Sequence, residues 1–336
     1  MHEALLYSKI DNDSIRCDLC AHRCLIPEGR RGLCGVRENR KGTLYSLVYG
    51  KAIATHVDPI EKKPLFNFLP GSLAFSVATA GCNMTCLHCQ NADISQAPRE
   101  TGRIMGEQIT PEELVEAALQ GGCRSIAYTY TEPTIFFEYA LDTARLARTK
   151  GLKNIFVTNG YMTEEALKMI APVLDGANVD LKSFRDDFYR DVCGGRLQPV
   201  LDTIKRMHEQ GIWLEVTTLI IPGHNDSDEE LEAIGRFLSG ISPDIPWHVS
   251  AFYPTYLLTS APPTPAATLR RARKIGQAAG LRYVYTGNIP GDDGENTYCP
   301  NCEKIIIERT GYRVGAVNIR DGNCVFCSTP VAGVWN

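Results

Sequence analysis

A regular alternation of strand and helix patterns constrains the fold of this chain more than any other feature. Between about residues 72 and 290 of 336, apolar runs typical of buried strands are separated by amphipathic helical segments. We predict strands near 73–80, 124–130, 154–158, 177–182, 213–221, 246–252 and 282–286, and helices near 111–120, 134–150, 163–172, 197–210, 227–239 and 266–279. About six such units predict an α/β fold with a parallel barrel, full or partial, and chemistry at the strand ends.

Two of the predicted helices have clear start signals. Thr110 precedes Pro111 and is followed three residues later by Glu113, which is the pattern of a capping box. Thr163 precedes Glu164 in the same way, and acidic residues in a first turn favour the positive end of the helix dipole. We therefore expect helices to begin near residues 111 and 163.

Three cysteines follow the first predicted barrel strand within eight residues. Cys82, Cys86 and Cys89 come directly after the apolar run 73–80. Three thiolates from one short loop can hold three irons of a [4Fe–4S] cluster, and the fourth iron is then left without a protein ligand. The alternative is a zinc ion that takes His88 as its fourth ligand, although a ring between two ligand cysteines usually points away from the metal that they share.

The spacing Cys-x3-Cys-x2-Cys resembles that of the radical S-adenosylmethionine (SAM) superfamily, in which the open iron chelates SAM. The resemblance implies that electron transfer from the reduced cluster cleaves SAM to methionine and a 5′-deoxyadenosyl radical, which abstracts hydrogen from the substrate. It also implies a partial (β/α)6 TIM-like barrel, here residues 71–290, and an electron donor such as reduced flavodoxin or ferredoxin.

Almost the full chain resembles the radical SAM enzyme of the AmmeMemoRadiSam system, which is related to pyruvate formate-lyase activating enzyme. The segments that carry this resemblance are 17–37, 81–96, 128–136, 283–290 and 333–335. The activating-enzyme relationship implies that the substrate is a protein, a peptide or a small organic molecule. The motifs do not identify which substrate it is.

Residues that follow the predicted strands are the expected SAM ligands. The segment 128–133 resembles the Gly-Gly-Glu-Pro segment that holds the SAM ammonium group in activating enzymes, with Thr131 in place of a glycine and Glu132 retained. The Asp180 to Lys182 segment resembles one that contacts the SAM ribose and carboxylate. The alternatives are a solvated Glu132 and an ordinary ion pair between Asp180 and Lys182. The predicted SAM-contacting residues are His88, Gln90, Thr131, Glu132, Asn159, Asp180, Leu181, Lys182 and Tyr253.

Two more cysteine sets flank the predicted barrel. The C-terminal set, in segment 291–336, is typical of a zinc ribbon, with an auxiliary iron–sulfur cluster as the alternative. For the N-terminal set, in an extension at 1–70, zinc and an auxiliary cluster both remain open. The two sets are Cys299, Cys302, Cys324 and Cys327, and Cys17, Cys20, Cys24 and Cys34. Cys123 and Cys193 are expected to be buried apolar residues, with a role near the substrate left open for Cys193.

Composition narrows the function classes. A net charge of −4 gives no basic surface of the kind that nucleic acids require. Thirteen cysteines, with no secretory signal and no apolar stretch long enough to span a bilayer, predict a cytoplasmic protein that binds metal rather than forming disulfides. A zinc-stapled binding or scaffold protein is the alternative function. Zinc hydrolysis is disfavoured because the sequence lacks a His-Glu-x-x-His motif.

Overall fold

Short antiparallel strands build the N-terminal segment of the computed structural model, which describes residues 1–10 and 14–336. They are β1 His2–Glu3, β2 Tyr7–Lys9, β3 Ser14–Cys17, β4 Leu25–Pro27, β5 Arg37–Arg40, β6 Thr43–Ser46 and β7 Lys51–Ala52. One small sheet has the order β1-β6-β5 and another the order β2-β3-β4. Val36 and Leu44 are fully buried in the same apolar core as the barrel strands, so this segment packs on the rest of the molecule.

An eight-stranded sheet forms the centre of the molecule. Its strands are β8 Ala54–Pro59, β9 Leu73–Ala78, β11 Ser125–Tyr128, β12 Lys153–Thr158, β13 Gly176–Asp180, β14 Trp213–Ile220, β15 Trp247–Ala251 and β16 Val284–Gly287. β10 Glu107–Gln108 lies outside it and pairs with β7. From β9 to β16 the strands are parallel and neighbours in chain order, while β8 is antiparallel to β9. All seven parallel strands therefore end at the same edge of the sheet.

Helices connect the parallel strands. They are α1 Ala92–Ser95, α2 Ala97–Glu100, α3 Pro111–Gln120, α4 Phe137–Thr149, α5 Glu164–Ile170, α6 Asp186–Phe188, α7 Leu197–Glu209, α8 Asp228–Ile241 and α9 Ala266–Ala278. Single 3₁₀ turns span Ile60–Lys62, Pro133–Phe136, Ala171–Val173 and Asp293–Glu295, and a π-helical turn spans Tyr189–Cys193. Over the described residues, none of these helices has the length and apolar character needed to cross a membrane.

Both predicted helix starts are confirmed. The Thr110 hydroxyl accepts a hydrogen bond of 3.2 Å from the backbone N–H of Glu113, and the Glu113 carboxylate accepts one of 2.7 Å from the N–H of Thr110. The Thr163 hydroxyl accepts a bond of 3.2 Å from the N–H of Ala166. These contacts satisfy backbone donors that an uncapped first turn would leave without partners.

The parallel α/β architecture and the positions of its seven strands agree with the sequence prediction. The sequence did not predict strand β8, which belongs to the segment expected as an N-terminal extension. Two central residues of this edge strand, His56 and Val57, are exposed. Because of this, β8 lacks the continuous apolar run that makes a buried parallel strand recognisable. The size of the barrel stays a prediction.

A C-terminal ribbon packs beside the end of the sheet. Its strands are β17 Thr297–Tyr298, β18 Ile305–Thr310, β19 Arg313–Val317, β20 Ile319–Arg320 and β21 Asn323–Cys324. Arg309 anchors it, because the buried guanidinium donates a 2.6 Å hydrogen bond to the carbonyl of Phe66 and lies 4.3 Å from the centre of its ring. The backbone N–H of Phe66 in turn donates a 2.9 Å hydrogen bond to the carboxylate of Glu215 on β14. These contacts connect the ribbon to the barrel core.

Candidate functional site

A cavity of about 580 Å³ opens at the carboxyl ends of the parallel strands. Residues from six of these strand ends and from the cysteine loop form its wall. The predicted site residues among them are Cys82, Cys86, His88, Cys89, Gln90, Thr131, Glu132, Asn159, Asp180 and Lys182. The parallel register brings these residues together although Cys82 and Lys182 are 100 positions apart in the sequence. The cavity volume falls within the range of roughly 300–1,000 Å³ that is typical of small-molecule pockets.

The three cysteines after β9 all line the cavity. Cys82, Cys86 and Cys89 are free thiols whose sulfur atoms do not all lie within 4.8 Å of one another. Sulfurs that share one zinc ion, each about 2.3 Å from the metal, would lie within about 4 Å of one another. The alternative of a zinc ion on these cysteines and His88 therefore does not fit the structure. The spread suits a cofactor that binds each sulfur through a different iron.

Backbone contacts hold the cysteine loop against the π-helical turn. The N–H of Thr85 donates to the carbonyl of Cys193 at 2.8 Å, and the N–H of Leu87 donates to that of Val192 at 2.9 Å. Gly194 continues from this turn with a φ of +73°, and a Cβ at this position would overlap the side chain of Thr85. A glycine is required here because the backbone conformation is left-handed and the backbone lies close to Thr85. These contacts therefore hold the cysteine loop against the π-helical turn.

Polar groups surround the cysteine sulfurs. The backbone N–H of Met84 lies 3.4 Å from Cys82 Sγ, and the Ser95 hydroxyl lies 3.2 Å from Cys89 Sγ. The amide Nδ2 of Asn159 is 3.8 Å from Cys82 Sγ. Donors at such positions favour the deprotonated thiolates that bind iron. The chemistry of this donor set thus fits an iron–sulfur cluster.

Cys193 lies next to Cys86 in the structure, although the two cysteines are far apart in the sequence. Its Sγ, that of Cys86 and a ring nitrogen of His88 lie within 4.8 Å of one another, and all three side chains are buried. His88 Nδ1 has no hydrogen-bond partner in the part of the chain that the structure describes. Burial, together with the nearby charges of Lys182 and His224, lowers the pKa of His88 to about 3. The ring is therefore neutral and available as an acceptor or a ligand.

Glu132 is buried rather than solvated, and it accepts four hydrogen bonds. Its Oε1 accepts from the N–H and hydroxyl of Thr134 at 3.0 and 2.6 Å and from the hydroxyl of Thr158 at 2.7 Å. Its Oε2 accepts from the N–H of Asn159 at 2.8 Å. Burial raises the pKa of this carboxyl, while the donated hydrogen bonds act in the opposite direction. Glu132 therefore organises the rim of the cavity, and the second oxygen retains capacity for a further donor.

Asp180 and Lys182 form an ion pair on the cavity wall. Lys182 Nζ lies 3.0 Å from Asp180 Oδ2, with the lysine side chain 15% exposed and the aspartate 37%. Burial acts to lower the pKa of Lys182, but the negative charges of Asp180 and Cys86 outweigh it and raise the pKa well above its usual value. A protonated Lys182 and its partner Asp180 therefore line the same cavity.

Two of the predicted SAM-contacting residues lie outside the cavity wall. Leu181 is fully buried between Asp180 and Lys182, as the alternation of a strand requires. Tyr253 is 47% exposed, and its hydroxyl lies 3.4 Å from the carbonyl of Asn288. β15 ends at Ala251, so Tyr253 lies beyond the strand whose residues His248 and Ser250 line the cavity.

Sequence reasoning missed one charged cluster on the wall. Lys63 and Tyr130 line the cavity, and both donate to the carboxylate of Asp58, with a Lys63 distance of 2.7 Å. Burial acts to raise the pKa of Asp58, but hydrogen bonds from Lys62, Lys63 and Tyr130 hold it well below its usual range. Asp58 and Lys63 belong to one short segment, whereas Tyr130 follows β11. Only the fold brings the Tyr130 hydroxyl to this carboxylate, so the complete cluster has no local sequence pattern.

The C-terminal cysteines form a much tighter group. The sulfurs of Cys299 and Cys327 are 3.6 Å apart, and those of Cys302 and Cys324 are 3.8 Å apart. All four lie within 4.8 Å of one another. This is the spacing of four ligands around a single tetrahedral ion.

Comparisons with known proteins agree with this geometry. Residues 76–238 match the family model described as the radical SAM superfamily. An uncharacterized protein of Methanocaldococcus jannaschii, MJ0808, is 46% identical over 334 residues, which cover 98% of this chain and 99% of that protein. Pyruvate formate-lyase 1-activating enzyme of Escherichia coli K12 is 22% identical over 178 residues, covering 50% of this chain and 69% of the enzyme.

A solved structure shares the fold. The crystal structure of a radical SAM methyltransferase from Sphaerobacter thermophilus superposes with a TM-score of 0.53 at 14% identity. The match covers 84% of this chain and 75% of that one. At this level of identity the similarity concerns the fold alone.

Proposed function

This chain belongs to the radical SAM superfamily, and we propose that it binds a [4Fe–4S] cluster and SAM in the cavity and abstracts hydrogen from a protein, peptide or small organic substrate. The observation that carries the proposal is the arrangement of Cys82, Cys86 and Cys89. They line one cavity, yet their sulfurs are spread more widely than a single ion requires. Three ligands leave one iron of a cubane open for SAM.

Two orphaned polar atoms on the same wall support a ligand in this cavity. His88 Nδ1 and Thr217 Oγ1 are buried and lack hydrogen-bond partners among the residues that the structure describes. Buried polar groups are normally satisfied, so such atoms indicate where a bound molecule would place its own polar groups. When bound, the cluster supplies the electron that cleaves SAM to methionine and a 5′-deoxyadenosyl radical.

The strand-end residues would orient SAM. We assign the protonated Lys182 to the SAM carboxylate and Asp180 to the ribose hydroxyls, because a cation and a hydrogen-bond acceptor match those groups. The Oε2 of Glu132 accepts from the backbone N–H of Asn159, and we assign its remaining acceptor capacity to the SAM ammonium group. Thr131 is held by a 2.8 Å hydrogen bond from its hydroxyl to the carbonyl of Thr79.

The substrate would lie against the part of the cavity wall that is formed by Lys63, His248 and, from the C-terminal ribbon, Tyr312. His248 is fixed by a 2.6 Å contact between its Nε2 and the carboxylate of Glu215. Tyr312 is 56% exposed at the ribbon hairpin, so this wall borders solvent and leaves space for a large substrate. This openness and the activating-enzyme relatives favour a protein or peptide, with reduced flavodoxin or ferredoxin as electron donor.

Anaerobic reconstitution with iron and sulfide tests the proposal. We expect a cluster spectrum, and 5′-deoxyadenosine after reduction by dithionite in the presence of SAM. Alanine at Cys82, Cys86 or Cys89 should abolish both. Cys123→Ala is the matched control, because Cys123 is a buried cysteine outside every cluster. SAM cleavage by the triple alanine variant would overturn the assignment.

A mononuclear zinc enzyme is the second candidate, favoured by the close approach of Cys86, His88 and Cys193. Three protein ligands with an open position are typical of catalytic zinc. His88→Gln and Cys193→Ser distinguish the two functions. Both variants should retain iron and sulfide if the cluster proposal is correct, whereas both should lose one equivalent of zinc if the site holds a single ion.

A binding or scaffold protein with zinc at all three cysteine sets is the remaining alternative. For the C-terminal set we do propose structural zinc, because its sulfur distances of 3.6 and 3.8 Å match one tetrahedral ion. A scaffold would contain zinc without acid-labile sulfide, so the same metal analysis separates it from the enzyme.

A further inference from the structure

A buried carboxylate on the wall of the strand-end cavity has one oxygen without a partner. Glu61 lines this cavity and is 1% exposed. Its Oε1 accepts a 2.9 Å hydrogen bond from the backbone N–H of Gly71, whereas its Oε2 has no hydrogen-bond partner among residues 1–10 and 14–336. Buried acceptors are normally satisfied, so this oxygen indicates a donor that is supplied by a bound molecule.

Arg309 does not supply this donor. Its Nε lies 3.7 Å from Oε1 of Glu61, which is longer than the roughly 2.7–3.2 Å of an N–H···O hydrogen bond. Its Nη1 donates to the hydroxyl of Thr297 at 2.7 Å, and its Nη2 donates to the carbonyl of Phe66 at 2.6 Å. The guanidinium is therefore held by other partners, and Oε2 of Glu61 stays open to a further donor.

Thr217 gives a second, independent indication of a ligand on the same wall. It lines the cavity, is 9% exposed, and has an Oγ1 without a hydrogen-bond partner in the described part of the chain. Thr217 on β14 is the direct neighbour of His248 on β15. The ring centre of His248 lies 4.7 Å from that of Phe66, which in turn lies 4.3 Å from the Arg309 guanidinium. Both unpartnered atoms thus belong to one contiguous region of the wall.

One guanidinium is shared by three acids in this region. The acids are Glu61, Glu215 and Glu295, all of them buried. The positive charge of Arg309 acts on each of them. Burial raises the pKa of Glu61, and the nearby charge of Glu215 acts in the same direction. A cation bound beside Oε2 would therefore stabilise the ionised form of Glu61.

The lysines on the cavity wall are paired with a different acid. Lys62 and Lys63 donate to the carboxylate of Asp58 at 2.8 and 2.7 Å. Lys63 is 1% exposed, and burial lowers its pKa to about 8 although Asp58 acts in the opposite direction. These two cations therefore leave the negative charge around Glu61 uncompensated.

A protonated primary amine matches Oε2 of Glu61 better than other donors do. A neutral donor would satisfy this oxygen but would leave the negative charge buried without a counter-charge. A guanidinium binds a carboxylate best through both oxygens, and Oε1 is already occupied by the N–H of Gly71. An ammonium is a compact point charge that can use a single oxygen and offer its remaining N–H groups to other acceptors.

We propose that Glu61 binds a primary ammonium group of the substrate, and that Thr217 binds a second polar group of the same molecule. The substrate class is then a compound or peptide that carries a free amine. This identification of the ligand as the substrate rests on the proposed function, whereas the binding of an amine requires no radical chemistry. SAM also carries an ammonium group, which we assign to Glu132, and the affinity for SAM separates the two.

Binding of n-butylammonium to the reconstituted full-length protein saturated with SAM tests the site. In saturation-transfer NMR, n-butylammonium should bind at least tenfold more tightly than tetramethylammonium, which has the same charge but no N–H donor. It should also bind more tightly than methylguanidinium. Equal binding of n-butylammonium and tetramethylammonium would overturn the proposal.

Glu61→Gln should weaken n-butylammonium binding at least tenfold, because the charge is lost while the amide carbonyl can still accept from Gly71. Glu308→Gln, which alters an exposed acid on β18 of the ribbon, is the matched control and should bind the amine like the wild type. Unchanged amine affinity in Glu61→Gln would contradict the proposal.

A crystal structure of the wild-type protein with n-butylammonium decides the question if Glu61→Gln does not fold. The amine nitrogen should lie within hydrogen-bonding distance of Oε2 of Glu61. An amine bound only elsewhere in the cavity would overturn the assignment.

The affinity for SAM distinguishes the substrate from the cofactor as the molecule that carries the ammonium group. Glu61→Gln should bind SAM within about twofold of the wild type. A tenfold loss of SAM binding would show that Glu61 contacts SAM and would overturn the substrate assignment. Amine binding can also be measured in protein without iron, so failure to form the cluster would contradict the proposed function and leave the amine site standing.

Discussion

The carboxylate of Glu132 and the backbone N–H of Asn159 form a 2.8 Å hydrogen bond that joins the ends of β11 and β12. The same carboxylate caps the 3₁₀ turn that begins at Pro133. Glu132 therefore holds the rim of the cavity, and we propose that it also contacts SAM there. Its substitution should affect the fold as well as the ligand.

Glu132→Gln should destabilise the apo protein by about 1–3 kcal/mol, because the amide places a donor where the carboxylate accepted hydrogen bonds. Urea unfolding of the metal-free protein measures this change. Glu165→Gln, which alters a half-exposed acid on α5, is the control and should change stability by less than about 0.5 kcal/mol. Equal stability of both variants would show that the hydrogen bonds of Glu132 are not structurally important.

Asp180→Asn and Lys182→Met should each weaken SAM binding at least tenfold, because a lost charge-assisted contact costs about 1.5–3 kcal/mol. Their effect on thermal unfolding should be small, since the pair is partly exposed and such ion pairs contribute about 0–1 kcal/mol. Equilibrium binding of SAM to the reconstituted protein is the measurement. Arg196→Met, which breaks the exposed pair with Asp186, should leave SAM binding unchanged. Normal SAM binding with a lowered melting temperature would support an ordinary rim ion pair instead.

Gly194→Ala should reduce iron loading, and Gly211→Ala should not. Both glycines have nearly the same left-handed φ, +73° and +74°. Replacing either one by alanine therefore costs about the same backbone strain, about 1 kcal/mol. Only at Gly194 does the added Cβ overlap Thr85 of the cysteine loop, whereas nothing lies within 4 Å at Gly211. Iron per chain after identical reconstitution compares the two. Equal loading would mean that the loop adjusts freely to the π-helical turn.

Zinc at the C-terminal set should persist after air has destroyed the catalytic cluster, because a single zinc ion has no redox chemistry. Cys302→Ser should lose this zinc and lower the midpoint of unfolding, since so small a ribbon depends on its metal for folding free energy. Elemental analysis of air-exposed protein is the measurement, with Cys123→Ser as the control that should retain zinc. Iron and sulfide at this site in the protein with the catalytic cysteines replaced would identify an auxiliary cluster instead.

The sequence by itself determined the features that depend on near neighbours. The parallel strands and the caps at Thr110 and Thr163 follow from apolar periodicity and from hydrogen bonds across three residues. The motif at Cys82 to Cys89 likewise lies within one loop, so its spacing was sufficient to identify the expected chemistry.

Only the tertiary structure decided the relationships between distant segments. It placed Cys193 beside Cys86, brought Tyr130 to Asp58, and left Tyr253 outside the cavity wall. It also brought the sulfurs of Cys299 and Cys302 within 4.8 Å of those of Cys324 and Cys327. These relationships depend on strand pairing, turns and packing between residues far apart in the chain, and a local pattern carries no record of such contacts.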